Sequence, residues 1–115
     1  MDLQLKEKVI IVSGGAKGIG EGIVKVLAAE GAIPVIIGRS EEDNLLTVKD
    51  IEATGGKCFQ VKAELSNPEE CKQAVEAVIK QFNRIDGLVN NAGANDGVGL
   101  ENGDYEKFMA SLHKN

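Results

Sequence analysis

The strongest constraint on the fold is a stretch near the amino terminus in which branched apolar residues run directly into a glycine-rich turn. Residues 9–12, Val-Ile-Ile-Val, lack the alternation that is expected where one face of a strand meets water. Residues 13–20, Ser-Gly-Gly-Ala-Lys-Gly-Ile-Gly, follow and lead into a helical pattern. The stretch therefore predicts a parallel strand buried on both faces, then a tight turn and a helix.

The glycines of this turn predict a site for phosphate groups. Gly14 permits a sharp turn off the strand, Gly18 removes a side chain that would obstruct a pyrophosphate, and Gly20 permits close packing of the helix. Free N–H groups and the positive dipole end of the helix favour an anion at the same place. Three residues separate the first two glycines of the motif, Gly14 and Gly18, where the common dinucleotide fingerprint has one, and the motif alone is also compatible with a plain glycine-rich turn.

Helical and apolar segments alternate through the rest of the chain. The helix after the turn is expected to have an apolar stripe of Ile19, Ile23, Val26 and Leu27 and to end at Gly31. Further elements are expected at 33–37 (strand), 42–54 (helix), 57–61 (strand), about 67–82 (helix), 84–90 (strand) and 104–115 (helix). This alternation predicts an α/β fold with a parallel sheet.

The helix at 67–82 has the clearest start signal. Asn67 is suited to cap it, Pro68 to occupy its first position and Glu70 its third. The buried positions are expected to be Leu45, Val48 and Ile51 in the helix at 42–54, and Ala74, Val75, Val78, Ile79 and Phe82 in the helix at 67–82.

The end of the second strand favours a nucleotide that carries a 2′-phosphate. In open parallel sheets, ligands bind beyond the carboxyl ends of the strands, and the residue at this end meets the adenosine ribose. Gly38 and Arg39 stand there instead of an acid, and Lys17 lies in the glycine turn. Two cations without a carboxylate favour NADP over NAD. In the alternative, both cations are solvated surface residues and Glu41 or Glu42 reaches a ribose hydroxyl.

Two further strand ends carry candidate site residues. Glu64 is placed to accept a hydrogen bond from the adenine amine and Leu65 to cover the ring, although an exposed loop carboxylate is an equally good interpretation of Glu64. After the fourth strand, residues 90–93, Asn-Asn-Ala-Gly, combine amides that can join strand ends with small residues that let a ligand approach the backbone.

The composition excludes several classes of function. A net charge of −5 argues against a nucleic-acid partner, because no basic stripe is present to neutralise phosphates. No segment is apolar enough to span a bilayer and no leader pattern is evident, so we expect a soluble, cytoplasmic protein without a membrane partner. Cys58 and Cys71 lack the spacing of a metal site and are expected to be buried thiols, and we expect no metal.

Residues 13–20 and 90–93, in this order and at this separation, resemble the short-chain dehydrogenase/reductase family, and the resemblance covers the whole chain as the amino-terminal half of such a protein. It implies a Rossmann-type doubly wound sheet with strand order 3-2-1-4, in an incomplete domain at 1–115 that stops in the helix after the fourth strand. The cofactor-binding residues expected on this basis and on the strand ends are Ser13, Gly14, Lys17, Gly18, Ile19, Gly20, Gly38, Arg39, Glu64, Leu65, Asn91, Ala92 and Gly93.

The resemblance also implies hydride transfer between NADP(H) and a small carbonyl or hydroxyl substrate. Asn115 matches the asparagine of the family's catalytic tetrad, and residues 94–101 are similar to sugar-dehydrogenase members, including those that act on L-fucose. The family's catalytic serine and its Tyr-x-x-x-Lys pair have no counterpart in these 115 residues, because Tyr105 is followed by Met109 at the lysine position. The chain by itself is therefore expected to be inactive. Gly38 in place of an acid and Glu64 in place of the usual Asp are further departures.

Two other functions compete with this one. A half-Rossmann fold can serve as a nucleotide-binding or interaction module without chemistry. A methyl-donor-binding domain shares the sheet, but the chain lacks an acidic residue leading into the glycine turn. The unpaired edge of the fourth strand predicts a homo-oligomer, since exposed strand edges and apolar faces promote association.

Overall fold

The structure is a computed structural model, and it describes residues 4–91. Strands and helices alternate through this range as the sequence predicts. Their bounds are β1 Val9–Ser13, α1 Gly18–Ala29, β2 Ile33–Gly38, α2 Glu41–Ala53, β3 Phe59–Lys62, α3 Pro68–Phe82 and β4 Gly87–Asn90. The segment expected to be a helix at 104–115 lies outside the described residues.

The strands form one parallel sheet in the order β3-β2-β1-β4, which confirms the predicted strand order. Strand β1 lies between β2 and β4, with Ile11 opposite Val35 on one side and Leu88 on the other. Each crossover places the glycine turn and the carboxyl ends of β2 and β4 at the same edge of the sheet. This edge is where ligands bind in open α/β sheets.

Helices cover both faces of the sheet, so β1 is buried along its whole length. Val9 and Ile11 point into a core shared with α3, whereas Ile10 and Val12 point into a core shared with α1 and α2. Because successive side chains of a strand point to opposite faces, both sets must be apolar. Two-sided burial is the physical reason for the unbroken apolar run in the sequence.

The predicted apolar stripe of α1 is wrong at Ile19 and Val26, which are 78% and 60% exposed. The helix instead turns Gly20 and Val24 to the sheet, with Leu27 packed beside them. Gly20 has no side chain, so a pattern based on apolar side chains cannot count it as a buried position. The true stripe begins one residue later than the predicted one.

Helices α2 and α3 also differ from the predicted patterns. In α2 the buried positions are Asn44, Thr47 and Ile51, so two of the side chains that face the sheet are polar. In α3, Val75 and Ile79 are partly exposed, while Cys71 joins the expected Ala74 and Val78 in the core. The capping prediction for α3 is confirmed, because the Asn67 side chain accepts hydrogen bonds from the N–H groups of Glu69 and Glu70.

Both cysteines are buried and unpaired. Burial raises the pKa of the Cys58 thiol to about 12, and burial also raises the pKa of Cys71. Both thiols therefore stay protonated at neutral pH and act as small apolar core residues.

Among the residues that the structure describes, no helix is long and apolar enough to cross a membrane.

Asp86 fastens the beginning of β4 to the beginning of β1. Its backbone N–H donates to the Val9 carbonyl oxygen, and its carboxylate accepts from the Val9 N–H, both at 2.8 Å. Arg84 donates to the other carboxylate oxygen at 2.7 Å. The Arg84 guanidinium, and then the Val9 N–H, lower the pKa of Asp86 from its ordinary value of 3.8.

These contacts of Asp86 with Val9 and Arg84, here called the clamp, make the stability of the protein depend on pH. The folded state prefers ionised Asp86, so its contribution is fully present above the ordinary carboxyl pKa and is lost as the pH falls through the lowered folded value. We expect Asp86→Asn to destabilise the protein at pH 7 and to have progressively less effect below about pH 4. Urea unfolding of both proteins between pH 7 and pH 3 measures this difference.

Asp50→Asn is the matched control, because Asp50 is an exposed aspartate on α2 away from the clamp. Its effect on urea unfolding should be small across the same pH range. A destabilisation by Asp86→Asn that stays constant from pH 7 to pH 3 would show that the charge of Asp86 is not what stabilises the strand pair.

Candidate functional site

The β1–α1 turn forms the centre of the candidate site. Gly14 directly follows β1 and has a φ of 69°, and its N–H donates to the Ile37 carbonyl oxygen at 2.9 Å, so the turn stays attached to β2. Gly18, at the start of α1, has a φ of 57°. These left-handed conformations favour glycine at both positions.

Space around the glycines differs sharply from one position to the next. A Cβ on Gly20 would collide with the Gly14 carbonyl oxygen and lie 2.5 Å from Asn91 Nδ2, so the helix begins in direct contact with two strand ends. A Cβ on Gly18 would meet nothing within 4 Å. The turn is therefore packed on the protein side and open on the solvent side, as a cradle for a phosphate group requires.

Gly15 is a constrained position that the sequence interpretation did not identify. A Cβ there would lie 2.8 Å from a methyl carbon of Val24 and 3.2 Å from Ile36 Cγ1. Its neighbours are core side chains rather than ligand-facing groups. The only sequence signal is that Gly15 directly follows Gly14, and this does not distinguish a packing constraint from a conformational one.

The amino terminus of α1 lacks a side-chain cap. Lys17 occupies the N-cap position and accepts no hydrogen bond with its side chain, whereas Ser40 caps α2 and Asn67 caps α3. The first N–H groups of α1 thus lack the side-chain acceptor that the other two helices have. Ile19, in the first turn, exposes an apolar side chain beside them.

A hydrogen-bond network joins β1 to the residues after β4. Ser13 Oγ donates to Asn90 Oδ1 at 3.1 Å and accepts from the Asn91 N–H at 3.0 Å. Asn91 Nδ2 donates to the Gly14 carbonyl oxygen at 3.4 Å. The two asparagine side chains join neighbouring strand ends as predicted. Asn90 bonds to the Ser13 hydroxyl, and Asn91 bonds to the backbone of Gly14 in the glycine turn.

Two cations lie at this edge of the sheet, Arg39 after β2 and Lys17 in the glycine turn. Arg39 is exposed and forms no ion pair within the described range 4–91. Lys17 forms an ion pair with Asp43 at 3.0 Å, and its hydrogen bond lowers the pKa of the Asp43 carboxyl. The sequence interpretation did not identify Asp43, because its place in the first turn of α2 is a common one for a surface carboxylate.

Helix α2 is attached to the site through two buried polar side chains. Thr47 Oγ1 donates to the Ala16 carbonyl oxygen in the glycine turn at 3.2 Å. Asn44 Nδ2 donates to the Gly38 carbonyl oxygen at 3.1 Å and to Gln60 Oε1 at 3.2 Å. Both contacts connect α2 to backbone that borders the site.

The residues after β3 are arranged differently from the two strand ends beside them. Glu64 is half-buried, and its carboxylate accepts hydrogen bonds from the hydroxyl and the N–H of Ser66. Leu65 is only 7% exposed and packs in the core beneath the sheet with Cys71. Only a small part of the Leu65 side chain is therefore accessible to a ligand.

Most of the predicted site residues lie at this one edge of the sheet. The turn residues, the end of β2 and Asn91 are brought together, and Glu64 and Leu65 follow the neighbouring strand β3. Ala92, Gly93 and Asn115 lie outside the described residues, as does the segment 94–101.

A parallel 3-2-1-4 sheet with a glycine-rich turn between β1 and an uncapped helix defines a Rossmann-type fold. The family model for short chain dehydrogenase matches residues 8–115. The chain belongs to the short-chain dehydrogenase/reductase family.

Relatives of known sequence and structure agree with this assignment. An uncharacterized oxidoreductase of Methylorubrum extorquens is 38% identical over 106 residues, which is 91% of this chain and 43% of the relative. L-sorbose reductase from Gluconobacter frateurii, solved with NADPH and L-sorbose, superimposes with a TM-score of 0.79 at 29% identity, covering 97% of this chain and 44% of that protein.

An NADH-dependent reductase solved with NAD superimposes with a TM-score of 0.76 at 30% identity, covering 99% of this chain and 48% of that one. The chain thus spans less than half the length of each of these three proteins. Because similar structures hold either nicotinamide dinucleotide, the fold alone does not determine which of the two is preferred.

Proposed function

We propose that residues 1–115 form the cofactor-binding part of an oxidoreductase that transfers hydride between NADP(H) and a small carbonyl or hydroxyl substrate. The observation that carries this proposal is the uncapped start of α1 behind a glycine turn with open space at Gly18. An anion at that place would receive the N–H groups that have no side-chain acceptor and would meet the positive end of the helix dipole.

The residues present fit a dinucleotide. The turn from Gly14 to Gly20 would hold the pyrophosphate, and the exposed Ile19 would supply an apolar contact beside it. Asn91, with Ala92 and Gly93 outside the described range, would border the cofactor after β4. The half-buried Glu64 would meet the adenine amine, with the backbone of Leu65 beside it. When bound, the nicotinamide ring supplies the carbon that gives or accepts the hydride.

Three residues, two at the β2 end and one in the glycine turn, support NADP over NAD. Gly38 leaves the strand end without a carboxylate that would repel a 2′-phosphate, and the exposed Arg39 can bind such a phosphate through two N–H groups. Lys17 adds a second cation, although Asp43 neutralises part of its charge at 3.0 Å. Arg39 is therefore the main determinant of the preference.

The substrate class and the acid–base residue of the proposed function are taken from similar proteins. Similarity to a reductase solved with L-sorbose supports a sugar or polyol as the substrate class. Asn115 is the tetrad residue that the resemblance assigns, and the chain alone is expected to bind cofactor without turnover. The partly exposed Leu88 on β4 supports self-association through that side of the sheet.

We expect the chain to bind NADPH about tenfold more tightly than NADH, since one charge-assisted contact to the 2′-phosphate accounts for that difference. Arg39→Ala should remove about tenfold in NADPH affinity and leave NADH affinity nearly unchanged. Titration of each nucleotide, followed by its fluorescence, measures both. Lys72→Ala, which removes an exposed cation from α3, is the charge-matched control.

The outcomes distinguish nucleotide binding itself from the preference for NADP over NAD. If neither nucleotide binds, the proposed function is wrong. If both bind and NADH binds as tightly as NADPH, the function stands and the preference for NADP is wrong. An equal loss of NADPH affinity in Arg39→Ala and Lys72→Ala would show that net charge, and not a local contact, determines binding.

A further inference from the structure

Asn44 is a buried polar residue directly behind the end of β2. It lies in the second turn of α2 and is 1% exposed. Its amide nitrogen donates to the Gly38 carbonyl oxygen at 3.1 Å and to Gln60 Oε1 on β3 at 3.2 Å. The side chain therefore bridges two strands at the point where the adenosine ribose is expected to bind.

The orientation of this amide is determined by its backbone partner. The Gly38 carbonyl is an acceptor, so the Asn44 nitrogen must face it. The amide oxygen then faces the Cα atom of Gly38, and a Cβ added there would lie 2.9 Å from it. Rotating the amide would place two acceptor oxygens against each other.

The amide cannot easily yield to a larger residue at position 38. A flexible side chain usually moves aside at little cost, but this one is fully buried and held by two hydrogen bonds. An acidic side chain at position 38 would also bring negative charge close to an acceptor oxygen. The close contact with Asn44 thus favours glycine at position 38. The Asn44 amide oxygen would also repel a carboxylate there.

We propose that Asn44 is a specificity-determining positioning residue, which keeps the β2 end free of a carboxylate and so commits the site to a 2′-phosphorylated nucleotide. The proposal rests on the proposed function, because it concerns the cofactor of that site. It goes beyond Arg39, which would contact the phosphate directly, whereas Asn44 acts from within the core through the backbone of Gly38.

The first test measures stability without any nucleotide. Gly38→Ala should lower the Tm by about 4 °C or more in the wild-type protein, because the new methyl group meets the Asn44 oxygen. In the Asn44→Ala background the same substitution should leave the Tm unchanged or raise it, since alanine reduces the entropy of the unfolded chain and the three atoms nearest to a Cβ at position 38 all belong to the Asn44 side chain.

Thr47→Val is the matched control for this comparison. It also removes a buried hydrogen bond of α2, but Thr47 contacts Ala16 and not Gly38. Gly38→Ala should therefore lower the Tm as much in the Thr47→Val protein as in the wild type. Asn44→Ser gives a second background that keeps a small polar group, in case Asn44→Ala does not fold.

The second test measures cofactor preference by titration with NADPH and NADH. Gly38→Asp alone should weaken NADPH binding without improving NADH binding, because the carboxylate is forced out of position by Asn44. Gly38→Asp with Asn44→Ala or Asn44→Ser should improve NADH affinity about tenfold over wild type and reverse the preference, since the carboxylate can then accept from the ribose hydroxyls.

The possible results distinguish this inference from the function beneath it. If the wild type binds neither nucleotide, the proposed function fails and this inference fails with it. If the wild type binds NADPH and Gly38→Asp alone already reverses the preference, the function stands and the role of Asn44 is refuted. Equal Tm changes for Gly38→Ala in the wild-type, Asn44→Ala and Asn44→Ser proteins refute it as well.

Discussion

Gly20→Ala is expected to destabilise the protein by about 3 kcal/mol, the upper range for overpacking by a single group. The new methyl group would collide with the Gly14 carbonyl oxygen and with the amide nitrogen of Asn91. Neither neighbour moves freely, because the Gly14 N–H donates to the Ile37 carbonyl oxygen and Asn91 Nδ2 donates to the Gly14 carbonyl oxygen. Helix α1 must therefore shift away from the two strand ends.

The same shift should abolish nucleotide binding, since it moves the first N–H groups of α1 relative to the glycine turn. We expect NADPH affinity to fall by at least about a hundredfold, which corresponds to about 3 kcal/mol. Chemical unfolding and fluorescence titration of the same preparation measure the two effects. Binding should be measured under conditions in which circular dichroism shows that the variant is folded.

Gly22→Ala is a strict control for Gly20→Ala. It lies two residues further along the same helix, where an added Cβ meets nothing within 4 Å. Alanine is the better helix former, so this variant should gain about 1 kcal/mol in stability and retain nucleotide binding. Destabilisation of similar size in both variants would contradict the argument that close contact at Gly20 is responsible.

Ser13→Ala is expected to cost about 2 kcal/mol of stability, although it removes a single oxygen atom. Ser13 is buried, and its hydroxyl donates to Asn90 Oδ1 and accepts from the Asn91 N–H. Its loss leaves a partly buried donor and a partly buried acceptor without these partners, which is more costly than the loss of an exposed hydrogen bond. Urea unfolding gives the difference in unfolding free energy.

Ser66→Ala is the matched control for Ser13→Ala. The Ser66 hydroxyl also donates to a side-chain oxygen, that of Glu64, but the residue is exposed and water can replace the contact. Its effect should be within about 0.5 kcal/mol. If Ser13→Ala is equally mild, the network between β1 and the residues after β4 does not hold these strand ends together.

Several elements of the fold could be predicted because their signals are local. The run at 9–12 requires burial on both faces, and the Asn67-Pro68 pair specifies a helix start without reference to the rest of the chain. Gly14 likewise marks a conformation that other residues rarely adopt, and the structure has it at a φ of 69°. In each case the cause lies within a few residues.

The helix faces could be predicted only in part, because the sheet determines which side of each helix is buried. Ile19 and Val26 have the apolar character of core residues, yet α1 approaches the sheet through Gly20 and Val24. In α2, the polar Asn44 is buried because a carbonyl oxygen and a glutamine side chain lie within reach of its amide. Such partners are distant in sequence and become visible only when the strands are assembled.

The sequence alone therefore determined the α/β class, the position of the glycine turn and the family, since each depends on residue types at fixed short spacings. The tertiary structure alone decided what surrounds those residues. It showed that Gly20 is restricted by Gly14 and Asn91, that Asp43 pairs with Lys17, and that Asn44 lies behind Gly38. These contacts depend on how β1, β2, β4 and α2 meet at one edge of the sheet. Spacing along the sequence does not determine the distance between residues that belong to different strands.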